Sequence, residues 1–239
     1  MSKLSVKQVN TEEEFSQFYD CYIDAFRNEP DEIFTKKEVK DWIEQTRKIV
    51  ETDEYLLLEN KVVVGFVLLM SKDGIGNVPW AGIKTEFQGK GLYPQFIKLM
   101  TQTIFKELNI NIIIRECDNP ELIDGKLKIQ AAKRLAMFRN KLNGKFVANK
   151  EFVFFRNDPK NSQQRTYKYL FGFSVISDDC PLDILDNKIG KRDLKKLIQY
   201  RNFFEQGVFE IEEQKRLYKS HKDFYETLDN IKEDYITIE

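Results

Sequence analysis

Between residues 11 and 26 the apolar side chains Phe15, Phe18, Tyr19, Tyr22, Ile23 and Phe26 recur at three- and four-residue intervals, which aligns them on one face of an α-helix. Thr11 and Glu14 form the Ser/Thr-x-x-Glu capping pair that opens such a helix, and Asn28-Glu29-Pro30 stops it. Thr35 and Glu38 repeat the signal ahead of Val39, Trp42, Ile43, Ile49 and Val50, so a second helix is expected. A short alternating strand at 4–9 precedes both. Residues 54–58 and 62–70 then read as strands joined by Glu59-Asn60-Lys61, and a turn at 71–77 containing Asp73-Gly74 leads into a third run at 78–85. Three consecutive antiparallel strands are implied.

The third run carries Trp80 and Ile83 and passes through Glu86-Phe87 into Gln88-Gly89-Lys90-Gly91-Leu92-Tyr93, after which residues 94–108 turn helical with Pro94 expected at the first helical position. Glycines in a strand-to-helix turn let backbone N–H groups converge, and the helix N-terminus adds partial positive charge. That arrangement suits a phosphate or pyrophosphate, although an ordinary connection with glycines at positive φ has the same sequence. A buried strand at 110–115 follows, then a polar loop at 118–128 with Pro120 and Gly125. Residues 128–142 place Ile129, Ala132, Leu135, Ala136 and Phe138 near one helical face, and 146–155 with 166–175 form a late hairpin around the polar stretch 157–165.

The texture changes at Ser177. Asp178-Asp179-Cys180-Pro181 marks a boundary, and charged helical patterns occupy 191–206 and 210–231. The expected organisation is a domain at 1–176 and a helical extension at 177–239. In the first of these helices Leu194, Leu197, Ile198 and Phe204 make a stripe that must cover either this domain or a partner subunit, which leaves a homodimer open.

Composition narrows the function classes. The 239 residues contain 41% hydrophobic side chains, enough for a normal core, and 38 Lys plus Arg against 39 Asp plus Glu give a net charge of −1. Neither a nucleic-acid coat nor a membrane-surface protein is expected from that balance. Cys21, Cys117 and Cys180 are too scattered for a disulfide framework or a zinc knuckle, no apolar run reaches bilayer length, and no signal peptide is recognisable, so a soluble cytoplasmic protein is expected. The one histidine, His221, lies in a charged segment, which removes histidine triads and HExxH metal sites. Any acid or base must be Glu, Asp, Tyr, Cys or Lys. Glu29, Asp31 and Glu32, between the first two helices, suit a cationic substrate or a solvated loop.

The order strand, two helices, three antiparallel strands, glycine turn and helix, strand, helix, two strands resembles the GNAT superfamily of acyl-CoA-dependent N-acyltransferases over residues 1–176. The stretch from Ile83 to Leu92, IKTEFQGKGL, is similar to that family's apolar strand residue and Arg/Gln-x-x-Gly-x-Gly/Ala turn, with Gln88 and Gly91 in register and Tyr93 where Gly or Ala is usual. Lys133-Arg134-Leu135-Ala136-Met137-Phe138 resembles a family helix that often carries a proton-donating tyrosine at the position of Phe138. The resemblance implies an α/β fold of α+β type, with a mixed, mostly antiparallel sheet flanked by helices. It implies acetyl-CoA as cosubstrate, with the pyrophosphate on the backbone from Gly89 to Tyr93 and Ile83, Gln88, Lys90, Gly91 and Leu92 in the cofactor site. The pantetheine arm would run beside the strand near Ile83, and an N–H there would polarise the thioester.

The reaction so implied is acetyl transfer to an amine of a small molecule or peptide. Glu116, after the strand at 110–115, is the candidate base, with Asp118 second; its alternative is a surface carboxylate paired with Lys or Arg. Tyr167 is the candidate acid beside Tyr93 and Tyr169, and each also suits packing. Cys117 reads as a structural thiol. Because Phe138 cannot donate a proton, the alternative is a catalytically silent acyl-CoA-binding or protein-interaction module.

Overall fold

The computed structural model describes residues 3–27, 33–148, 152–157, 164–177, 180, 182–206 and 233–239. The expected helix at 210–231, His221, and Glu29, Asp31 and Glu32 lie outside the described residues. Two compact units divide the chain, Met1–Ile113 and Ile114–Glu239.

In the first unit, β1 (Leu4–Gln8), β2 (Glu51–Glu59), β3 (Val62–Lys72) and β4 (Ile75–Ile83) are consecutive antiparallel neighbours. Tight turns set their register. Asn60 and Lys61 both take positive φ, as do Asp73 and Gly74, the two-residue geometry whose twist matches paired strands. The second turn is shorter than the sequence suggests, and β4 already begins at Ile75.

Helix α1 (Glu12–Phe26) and helix α2 (Lys36–Arg47) begin at Thr11 and Thr35, each with a complete reciprocal capping box. The aromatic stripe of α1 packs on the strands: Phe15, Phe18 and Tyr22 are buried with Leu56, Phe66, Leu68 and Trp80. Gly82 permits the closest approach, since a Cβ there would sit 2.5 Å from the Ala25 Cβ.

Helix α3 (Leu92–Gln102) follows β4 and packs against β1 and β4. It ends at Thr103, whose φ of −122° and ψ of −87° break the helix before the single turn α4 (Ile104–Glu107). Strand β5 (Ile112–Asp118) starts beside β4: the Gly74 carbonyl accepts from Asn111 and Ile112, and Gly76 lies against Ile113, so the two strands advance in the same direction.

In the second unit β5 is followed by helix α5 (Gly125–Lys141), β6 (Gly144–Phe146), β7 (Phe152–Asn157) and β8 (Gln164–Val175), with strand order β5-β8-β6 and β7 also on β8. The run expected as one strand at 146–155 is two, since β6 pairs with the end of β8 and β7 with its start. A three-stranded sheet of β9 (Ile184–Leu185), β10 (Lys188–Gly190) and β11 (Tyr235–Thr237), in the order β11-β10-β9, was not anticipated from sequence. Helix α6 (Lys191–Gln206) buries Leu194, Leu197, Ile198 and Phe204 within the single chain. No helix among the described residues is long and apolar enough to cross a membrane.

Candidate functional site

Strand β4 ends at Ile83, a buried side chain. Lys84 donates to the Val64 carbonyl at 2.8 Å and is the last residue tied to β3, after which Thr85–Phe87 form one 3-10 turn. The Phe87 amide donates to Lys84 and the Gln88 amide to Thr85, at 2.9 and 3.2 Å. Two side chains fasten this exit. Gln88 Nε2 donates to the Ile83 carbonyl at 2.9 Å, and Asp24 Oδ2, from α1, accepts the Thr85 N–H at 2.5 Å.

Beyond Gln88 the backbone becomes left-handed twice. Gly89 has φ 77° and Gly91 φ 68°, and Gly91 is the N-cap residue of α3. The helix therefore starts at Leu92, and Pro94 is its third residue rather than its first. Proline is tolerated there because none of the first four amides has an acceptor within the helix. A Cβ at Gly89 would meet nothing within 4 Å, and one at Gly91 only Gln95 Nε2 at 4.0 Å. Gly89, Lys90 and Gly91 are exposed, Leu92 is buried and Tyr93 half-buried. The Lys90 ammonium lies 5.0 Å from the Phe87 ring centroid. Thus Ile83 and the segment from Gln88 to Tyr93 form one local constellation: an open turn of exposed backbone leading into a helix N-terminus, suited to an anion.

The other sequence candidates lie on the second unit. Glu116 is within β5 rather than after it, because the strand runs on to Asp118. Both of its carboxylate oxygens accept from Arg201 of α6, one from Nε and one from Nη2 at 3.4 Å. Arg201 is 1% exposed and Glu116 17%, so the pair is largely removed from water. Asp118 instead pairs with Arg134 at 3.1 Å on the surface. Arg115 donates from Nε to Ser174 Oγ, and its guanidinium carbon stands 5.3 Å from the centroid of buried Phe138. Burial pushes the Cys117 thiol up to about 12, and its Sγ lies 3.7 Å from the Ala131 carbonyl, so it is protonated at neutral pH and no nucleophile. Tyr167 is on β8 opposite Phe154, and Tyr169 is half-buried on the same strand.

Two residues of these constellations escaped the sequence reading. Asp24 sits in the last turn of α1, where a carboxylate faces the negative end of the helix dipole, and that misplacement was the available signal. Arg201 falls three positions after Ile198 and four after Leu197, a cation inside an apolar stripe, which signals a buried partner.

No protein-family model and no curated protein sequence matches the chain. Solved structures do. A putative acetyltransferase from the GNAT family of Bacteroides thetaiotaomicron is similar over 85% of this chain and 99% of its own, with a TM-score of 0.61 and 12% identity. The chain has the GNAT fold. A spermidine N-acetyltransferase chimera from Vibrio cholerae and hSSAT covers 73% of this chain and 96% of its own, at TM-score 0.53 and 15% identity. The spermidine N-acetyltransferase from Vibrio cholerae in complex with CoA and spermine covers 72% and 95%, at TM-score 0.50 and 14% identity. Within the GNAT fold of this chain, the strand, glycine turn and helix stand in the order expected from the resemblance.

Proposed function

We propose that this protein is an acetyl-CoA-dependent N-acetyltransferase acting on an amine of a small molecule or peptide. The observation that carries the reading is the open turn at Gly89 and Gly91, where two left-handed glycines leave the room that Cβ atoms would take and expose their amides ahead of α3. The solved spermidine N-acetyltransferase with CoA and spermine supports the same class.

The residues fit such a cosubstrate. The amides from Gly89 to Tyr93 hold a pyrophosphate, with Gln88 and Lys90 flanking it and Leu92 anchoring the turn. Ile83 ends the strand that would flank the pantetheine, and an N–H near it would polarise the thioester carbonyl. Acetyl-CoA, when bound, supplies an acetyl thioester whose carbonyl carbon takes a bond from the free amine while the carbon–sulfur bond breaks and the thiolate leaves.

Glu116 receives the proton that the ammonium form of the acceptor must lose; Arg201 occupies one lone pair on each of its oxygens and leaves others to accept. Tyr167 returns a proton to the thiolate, and the second proton, shed by the nitrogen as it becomes an amide, restores the phenol. Residues 1–176 form the transferase domain in this reading and 177–239 an extension. The protein acts in the cytoplasm.

A second reading, a silent acyl-CoA-binding module, is favoured by Phe138, which is buried under Arg115 and has no proton to give, and by the engagement of Glu116 with Arg201. Thiol release from acetyl-CoA across a panel of amines separates the two. Amine-dependent release is expected; CoA binding without release for any amine overturns the transferase reading and leaves the module.

A further inference from the structure

We propose that Asp24 is the positioning residue of the phosphate-binding turn, setting its geometry from helix α1 through the Thr85 amide. The inference rests on the cofactor reading above and adds a residue outside the turn and its sequence motif.

Thr85 opens the 3-10 turn, so its N–H has no acceptor within that turn and needs one from elsewhere. Asp24 Oδ2 supplies it across 61 positions of sequence, at 2.5 Å, as a charge-assisted bond. For α1 itself the carboxylate is ill placed. It lies in the last turn, where no basic residue is present, and the guanidinium of Arg27 is 3.7 Å away and half exposed. The neighbouring Ala25 touches the Cα side of Gly82, which fixes how closely the end of α1 approaches the end of β4 and leaves Asp24 little freedom to shift.

The fixed point is three residues upstream of Gln88. The Gln88 amide bonds back to the Thr85 carbonyl, its side chain bonds to the Ile83 carbonyl, and Gly89 follows directly. A displacement of Thr85 therefore carries into the amides that would meet the pyrophosphate. Asp24 acts on the turn through Thr85, the residue whose amide it holds.

Calorimetric titration of CoA into the full chain, with acetyl-CoA kinetics alongside, tests this on Asp24→Ala, Asp24→Asn, Thr85→Pro and the double variant Asp24→Ala/Thr85→Pro. Thr85→Pro removes the donor with little strain, since proline suits the first position of a helical turn and Lys84, at φ −51° and ψ 141°, already has the extended conformation that precedes proline. Loss of the bond is expected to weaken CoA binding about tenfold in Asp24→Ala and in Thr85→Pro, and to raise KM for acetyl-CoA with kcat held. Asp24→Asn, which keeps an acceptor oxygen, stays within about threefold of the unsubstituted chain, and the double variant is no weaker than either single one.

Equal CoA binding by Asp24→Ala and the unsubstituted chain overturns the inference, as do additive effects in the double variant or an Asp24→Asn as weak as Asp24→Ala. If Asp24→Ala does not fold, Thr85→Pro against Thr85→Ala, which retains the N–H, decides: equal binding overturns the inference, and weaker binding by the proline variant supports it. Absence of CoA binding by the unsubstituted chain overturns the cofactor reading and this inference with it.

Discussion

At Gly89 a methyl group meets open space and at Gly91 only Gln95 Nε2 at 4.0 Å, an ordinary contact, so alanine there costs backbone conformation and little else. Forcing an L-residue into the left-handed region costs about 1–2 kcal/mol, and the added Cβ also intrudes on an anion seated against the amides. Gly91→Ala is therefore expected to lower unfolding free energy by about 1 kcal/mol while weakening CoA binding more than about tenfold, a loss larger than the strain explains. Denaturant unfolding and calorimetric titration on the same preparation check both parts. This turn was legible in the sequence because positive φ has a residue signature, glycine, at a fixed distance from the helix it opens. Glu116 was visible as a carboxylate near a buried strand, but its partner Arg201 was not, since the two are 85 positions apart and nothing local links them. Asp24 was hidden for the same reason.

Helix α1 shows what a local rule fixes well. Thr11 and Glu14 sit three apart and bond reciprocally, and the start of the helix follows from the sequence directly. Glu14 also accepts from the Lys7 ammonium and from the Asn10 amide, and these hold its carboxyl down from 4.5 to about 2. A folded-state value below the unfolded one stabilises the fold fully above about pH 4.5, and the contribution is lost as pH falls toward about 2. Glu14→Gln is accordingly expected to unfold at a lower temperature than the unsubstituted chain at pH 7, with the difference vanishing near pH 2. Thermal unfolding at the two pH values reads it directly.

Element ends set by tertiary contact were less legible. Helix α5 starts at Gly125 rather than 128, α3 breaks at Thr103, which has no sequence marker, and the two- and three-residue strands β9, β10 and β11 are too short for an alternating pattern.

For the whole molecule, composition and contact divide the chain differently. The charged texture changes at Ser177, whereas the compact units part inside β5, between Ile113 and Ile114. The described end of the chain is drawn into the second unit: β11 pairs with β10, and beyond it Phe146 and Glu239 exchange two backbone hydrogen bonds of 2.8 Å while Ala148 donates to the Thr237 carbonyl at 3.0 Å. Deleting residues 233–239 is expected to abolish hydrogen-exchange protection at Phe146, Ala148 and Lys191, whose amides donate to Glu239, Thr237 and Asp234, while β2 and β3 keep theirs. Mass-resolved exchange on the truncated and full chains tests this, and retained protection at Phe146 refutes it.

The pairing of Arg139 with Glu239 joins side chains 100 positions apart, beside the strand contact that closes the second unit. The first unit is built instead from a meander whose adjacent strands meet through two-residue turns. Closing a long loop delays the contacts that reward it, and chains rich in distant pairings fold more slowly than those rich in local ones. Refolding should thus be staged, with the β2-β3-β4 meander, whose last strand leads into the glycine turn, assembling before the terminal segment reaches β6.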